Sequence, residues 1–464
     1  MKKVFVFCIG GTGIRVMKSI MMLMAGGMKT NGYAVVPIIL DPHLDLEEKK
    51  NLHSLIESYK TVYGRSINNG STKLNSSEGF FGSEVVRLEE LNSQHNDTKQ
   101  IFGSEEKFGS YIHESNLGVN NINNYLIETM FSTKNLNSPL SVGFKGNPNV
   151  GTVVLGDMIE NADWFNGFKI HCEKDDRVFI ISSIFGGTGA SGFPLLEKKI
   201  KGANDQPALK NALMGAVTVL PYYGLTDPAT SGSDIDSANF YTKTKAALAY
   251  YQDTIKSDYL YYIGEKTLHQ TYENDEKKQK DTANFIELVA ASALFDFLGR
   301  DKPKRQQFLS RAINNDVESL NLGNMGRGYT DIVKAVADFM LLRELVNILP
   351  KEKWFPLKKD RYFDMKFYED VAYGDLSKFT ETFYQWYNEL ATNKRAFAPL
   401  HYESHKDMSG WIEGYELNAK DDSYFLLQMI KESNVDTQKH NNTFRYFLDF
   451  AYKAIDYYTQ KIQK

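Results

Sequence analysis

The first nine residues set the pattern for the amino-terminal half of the chain. Lys3 to Ile9 (KVFVFCI) is a run of β-branched and aromatic residues of strand length. A glycine loop follows at once, and then the helix-like IRVMKSIMMLM. A second apolar run, AVVPIIL (34–40), stops at Asp41-Pro42, where proline ends pairing and an acid sits at the strand's carboxyl end. The chain therefore opens β-α-β. From 64 to 140 it becomes rich in Asn, Ser and Gly with no sustained period, which reads as an insertion. Then come GNPNVG (146–151), a helix through residue 166, and the strand RVFIISSIF (177–185) running into GGTGASG (186–192). Further strands are predicted at 214–220, ending before Pro221, and at 258–264, with a helix over 238–255 between them. Strands alternating with helices predict an α/β fold built on a parallel sheet covered on both faces.

Residues 282–298 (TANFIELVAASALFDFL) are apolar on nearly every face, so this helix belongs inside the protein. Beyond 300 the pattern changes to long helix-like stretches, with Trp354, Trp386, Trp411 and many tyrosines and few strand signals. A last amphipathic segment sets Phe444, Phe447, Leu448, Ala451 and Ile455 on one stripe. The expected organisation is a nucleotide-binding domain over 1–281 carrying the 64–140 insertion, a central helix over 282–298, and a largely helical carboxyl-terminal domain over 299–464.

Composition narrows the class. A chain of 464 residues, 42% hydrophobic and 13% aromatic, can bury a large core, so wholesale disorder is excluded. A formal charge of −4 supplies no global field toward nucleic acid or anionic lipid. Cys8 and Cys172 both lie in apolar runs, which suits buried thiols in a reducing compartment and a cytoplasmic location. No apolar stretch approaches the roughly 20 residues needed to span a bilayer.

Two loops carry the candidate chemistry. Gly10-Gly11-Thr12-Gly13 joins a strand to a helix start, where amides can approach a phosphate and the helix dipole adds about half a positive charge. Gly186-Gly187-Thr188-Gly189-Ala190-Ser191-Gly192 repeats that architecture, with Thr188 and Ser191 as further hydroxyl donors. Glycine is costly to order, and four in seven residues favour close phosphate contact over a plain turn. No Lys-Ser/Thr pair follows, which excludes the P-loop pattern. Gly187-x-Gly189-x-x-Gly192 also matches the dinucleotide fingerprint, with Asp41 as a ribose-binding acid. That Rossmann-type NAD- or FAD-binding oxidoreductase is the alternative reading, although the first βα turn carries Val16 where its third glycine should be.

Taken in order, the first glycine loop, GNPNVG, the second loop and a strand ending in Pro-aromatic resemble the tubulin/FtsZ superfamily over about residues 1–300, the insertion apart. The resemblance implies a parallel sheet of that type with a buried central helix, and GTP/GDP with Mg2+ held across the loops. Gly10 to Gly13 would form the first phosphate loop, with Arg15 where FtsZ has asparagine and Asp41 in the loop after strand two. Gly146, Asn147, Pro148 and Gly151 match the loop that senses the terminal phosphate, and Gly186 to Gly192 would hold the phosphates. Pro221-Tyr222-Tyr223-Gly224 resembles the ribose loop, and Asn284 opens the helix that contacts guanine. The ribose-loop glutamate is absent, leaving Asp227, Asp234 or Asp236 as substitutes, and Gly264-Glu265-Lys266 replaces a base contact.

The family hydrolyses GTP with acids that a neighbouring subunit supplies from the loop after the central helix. Here that loop is the basic Arg300-Asp301-Lys302-Pro303-Lys304-Arg305, which cannot deprotonate a water as a carboxylate can. Asp301, Asp316 and Asp331 are the nearest candidates, and hydrolysis is expected to be slow or partner-activated. The expected partner is the chain itself, assembled head to tail into filaments, with an adaptor protein as a further candidate and no direct contact with nucleic acid. A non-polymerising nucleotide-binding subunit of a larger complex is the other alternative. His401, Glu403 and His405 lack zinc-protease spacing and read as surface helix, so no metal site of the protein's own is expected. The basic run from Lys302 to Arg311 reads as a hydrated surface or a contact for an acidic partner.

Overall fold

The computed structural model describes residues 1–42, 47–67, 79–91, 106–114, 121–140, 144, 146–160, 162–225, 239–265, 270–272, 282–313, 319–320, 329–351, 363–400 and 442–459. Asp227, Asp234, Asp236, Lys266, Asp316, Trp354, Trp411 and the His401–His405 pair lie outside them.

Six strands form one all-parallel sheet: β1 (Lys3–Ile9), β2 (Ala34–Leu40), β3 (Arg177–Ser183), β4 (Leu213–Val219), β5 (Tyr259–Glu265) and β6 (Gln307–Ile313). Their order across the sheet is β2-β1-β3-β4-β5-β6. Every residue of β1 and β2 is buried, which is why these strands read as unbroken apolar runs rather than as alternation. Phe5 and Phe7 pack edge-on against Phe168 at 4.9 Å each, and Trp164 stands over Phe7. Outside β2, the peptide around Val85 adds a single parallel bridge, with Val35 donating to the Glu84 carbonyl and Val86 donating back. The 64–140 region thus contributes a short continuation of the sheet, together with helices over Phe108–Glu114 and Asn121–Met130.

The long helices are α1 (Gly10–Ala25), α2 (Glu47–Ser66), α3 (Pro148–Glu160), α4 (Gly187–Lys201), α5 (Phe240–Thr254), α6 (Phe285–Leu298), α7 (Thr330–Ile348), α8 (Val371–Thr392) and α9 (Thr443–Thr459). Helix α6 is the expected buried helix, enclosed from Phe285 to Leu298 except at Ser292 and Asp296, and it packs along α1. Beyond residue 300, α7 and α8 lie against each other and against α1 and α2 through Phe339, Phe379 and Phe383. Among the described residues, Phe339, Phe379, Phe383, Trp386, Phe444 and Phe447 are therefore core.

Two elements depart from the sequence reading. The basic segment after residue 300 contains β6, the sixth strand of the sheet, where few strand signals were expected. An edge strand is wetted along one side: Phe308 is 61% exposed and Ser310 is exposed, so the apolar run is broken. Helix α2 was not anticipated because its polar face is heavily charged, although Leu52, Leu55, Ile56, Tyr59 and Val62 form its buried stripe. No helix among the described residues is long and apolar enough to cross a membrane.

Candidate functional site

Strand order reverses beside β1. The chain passes from β1 outward to β2, then returns to β3 on the other side and continues away through β4. In open parallel sheets this reversal opens a crevice at the carboxyl ends of the two central strands. Gly10 leaves β1 and Gly186 leaves β3 at that point. A β-carbon added to Gly10 would lie 3.3 Å from Thr188 Cβ and 3.7 Å from the Gly189 nitrogen. One added to Gly187 would lie 3.1 Å from the Asn147 nitrogen and 3.2 Å from the Gly146 nitrogen. The loops around Gly10, Gly146–Asn147 and Gly187–Thr188 are thus in contact, each at the amino-terminal end of a long helix.

Those helix ends share a chemical feature. Helices α1 and α4 have no side-chain cap, and none of α1, α3 and α4 has an acidic residue in its first turn. Amides of a first turn lack intrahelical partners and carry the positive end of the dipole. By contrast α6 is fully capped: the Asn284 side chain accepts from the Ile286 amide at 2.9 Å, and Glu287 accepts from the Asn284 amide at 3.1 Å.

The glycines divide by task. Gly10 and Gly146 both adopt φ +73°, which demands glycine. Gly13, Gly189 and Gly192 instead permit close packing, since added β-carbons would fall 2.7 Å from the Cys8 carbonyl carbon, 2.5 Å from the Ser183 oxygen and 2.8 Å from an Ile9 methyl. Two of the four glycines in 186–192, Gly189 and Gly192, are therefore explained by close approach to the strands. Ser191 also departs from its expected role. Its hydroxyl donates to the Gly187 carbonyl at 2.7 Å within α4, so it is bonded to its own helix rather than turned to the crevice. Thr188 remains partly exposed at the junction, Ala190 is buried, and Pro148 begins α3.

Arg15, 6% exposed, sits one turn into α1 and is held by carboxylates. Its Nε donates to Glu287 at 2.6 Å, a terminal nitrogen pairs with Glu48 at 3.3 Å, and another donates to the Tyr222 hydroxyl at 3.0 Å. Tyr222 itself donates to Glu287 at 2.6 Å. The network joins α1 and α2 to the ribose-loop candidate, which begins at the buried Pro221, and to the start of α6. Asn284 is buried there with its side-chain oxygen engaged in the cap. Phe185, just before the second glycine loop, packs against Tyr223 at 5.5 Å and Phe240 at 4.9 Å. Asp41 is buried at the end of β2. Glu265, proposed beside a base contact, forms a buried ion pair with Arg395.

Two participants were missed. Glu287 was legible, because Asn-x-x-Glu before an apolar run is a capping-box signature. Lys243 was not, because its ammonium donates to the Gly146 carbonyl at 2.8 Å across a separation of 97 residues.

The two described acid candidates, Asp301 and Asp331, do not join this cluster. Asp301 lies past the far end of α6, where its carbonyl accepts from Tyr259 at the start of β5. Helix α6 has 14 residues, so at 1.5 Å each about 20 Å separates that loop from Asn284. Asp331 is exposed beside a cleft of about 790 Å3 lined by Gly26, Asp296 and Arg300, again remote from Gly10. Asp316 is among the residues not described. Both thiols are packing groups: burial pushes Cys8 far above its ordinary range and Cys172 up to about 12. No protein-family model matches the chain, and no curated protein matches it.

Proposed function

We propose that this chain is a tubulin/FtsZ-like protein that binds GTP or GDP in the crevice between β1 and β3 and assembles head to tail, with the nucleotide at the subunit contact. One observation carries the reading: three helix starts without acidic residues, at Gly10, Pro148 and Gly187, meet at the point where strand order reverses. Amides and dipoles of this kind suit an extended polyanion, and a side-chain-capped helix start would not. The residues present therefore fit a nucleoside polyphosphate.

The tubulin/FtsZ type is supported by the order in which these loops occur along the chain and by the enclosed helix α6 that starts at the crevice. Head-to-tail assembly is supported by distance. Asp301 follows α6 at the opposite end of the sheet, so it can approach a nucleotide only in another subunit. That contact joins unlike surfaces and extends indefinitely unless rotation closes it. The basic residues flanking Asp301 argue for slow or partner-activated hydrolysis. Among the described residues no group of three acidic, His or Cys side chains gathers to hold a metal. Magnesium would then be bound chiefly by phosphate oxygens and water, its ordinary mode with nucleotides.

Heat-denaturing freshly purified protein and chromatographing the released small molecules tests the ligand. Guanine nucleotide is expected, and a nicotinamide or flavin would transfer the chain to the oxidoreductase reading. Pelleting with micrographs tests assembly. GTP-bound protein that stays monomeric or forms closed rings at high concentration would remove the filament.

A further inference from the structure

We infer that Lys243 is the phosphate-contacting residue that distinguishes a nucleoside triphosphate from a diphosphate in this crevice. The inference rests on the polyphosphate reading above and adds a residue to it.

The groups at the crevice adjoin one another in turn. Gly10 adjoins Thr188, Gly187 adjoins the amides of Gly146 and Asn147, and the Gly146 carbonyl receives the Lys243 ammonium at 2.8 Å. A polyanion that starts at the β1 loop and follows these contacts ends beside Lys243.

Helix α5 holds the lysine there firmly. Phe240 at the helix start packs on Phe185 at 4.9 Å, which fixes α5 beside the loop leaving β3. Further along, the Tyr251 hydroxyl donates to the Ala190 carbonyl at 3.3 Å, and its ring meets Phe193 edge-on at 5.4 Å. Lys243, one turn beyond Phe240, is thereby aimed at the Gly146 loop. The bond it makes there is to a neutral carbonyl. An ionised phosphate oxygen adds charge–charge attraction that a neutral carbonyl lacks, so it is the stronger acceptor for an ammonium. A third phosphate reaching the Gly146 loop would therefore draw the ammonium to itself, whereas a ligand one phosphate shorter would leave it on the carbonyl.

The test titrates nucleotide-stripped full-length wild type, Lys243→Gln and Lys243→Arg with GTP, GDP, inorganic tripolyphosphate and pyrophosphate, after thermal melts establish that the variants fold. Lys243→Gln is expected to weaken GTP and tripolyphosphate roughly tenfold to a hundredfold, as loss of a charged hydrogen bond does, with GDP and pyrophosphate within about twofold of wild type. Lys243→Arg should retain most of the preference for the longer ligand. Equal weakening of long and short ligands would reduce Lys243 to a brace for the Gly146 loop and overturn the inference, as would no change. If wild type prefers tripolyphosphate through Lys243 but ignores guanine nucleotides, the inference stands and the guanine reading falls. If nothing binds, both fall.

Discussion

Gly10 and Gly146 share a φ of +73°, and each stands at a helix start in the crevice, so the same backbone demand recurs at two ends of one candidate site. Gly11 carries no such demand, since a β-carbon there meets nothing nearer than 3.5 Å. Alanine substitutions should therefore separate conformation, packing and open space. Gly10→Ala is expected to cost about 1–2 kcal/mol from the left-handed backbone alone. Gly189→Ala should cost about 1–3 kcal/mol because its methyl collides with the Ser183 backbone. Gly11→Ala should stay within about 0.5 kcal/mol of wild type. Urea denaturation reads all three, and a Gly189→Ala protein as stable as wild type would refute the packing role. Counting glycines in the sequence could not make this division. Gly189 and Gly10 look alike as letters, and only the neighbouring strand backbone reveals that one serves helix approach and the other a turn.

Between elements, the Arg15–Glu287–Tyr222 network ties the first helix to the buried central helix and to the loop after β4. Glu287 is 1% exposed, so removal of its cationic partner leaves an uncompensated carboxylate in the interior. Arg15→Met is expected to cost about 3–5 kcal/mol, and adding Glu287→Gln should recover part of that loss by discharging the orphan. A single-variant cost below about 1 kcal/mol in urea unfolding would mean the pair contributes little. Elements buried on both sides were the legible ones: β1, β2 and α6 announce themselves as apolar runs because they meet no water. Strand β6 and helix α2 face solvent on one side, and the polar residues required there, such as Ser310 in the strand and Lys49 and Lys50 in the helix, erased the signal.

At the scale of the whole molecule, the sheet order decides what the loops can do. The sequence supplies loops in series, and nothing local says that residues 10, 146 and 187 meet. The reversal between β1 and β3 brings them together, and the long span of α6 takes Asp301 to the opposite end. The bond between Lys243 and Gly146 was invisible for the same reason, since both ends depend on where α5 returns after β4. The separation of crevice and acid across the sheet is the physical reason to look for turnover between subunits rather than within one.

Hydrogen exchange read by mass spectrometry, with and without GTP and magnesium, tests the convergence itself. Amides at a bound polyanion gain protection because they acquire acceptors and open less often. Peptides covering residues 10–13, 146–151 and 187–192 should all slow together at one ligand concentration, and Gly10→Ala should abolish the slowing in all three. Slowing confined to one of the three, or found only elsewhere, would contradict a single shared anion site.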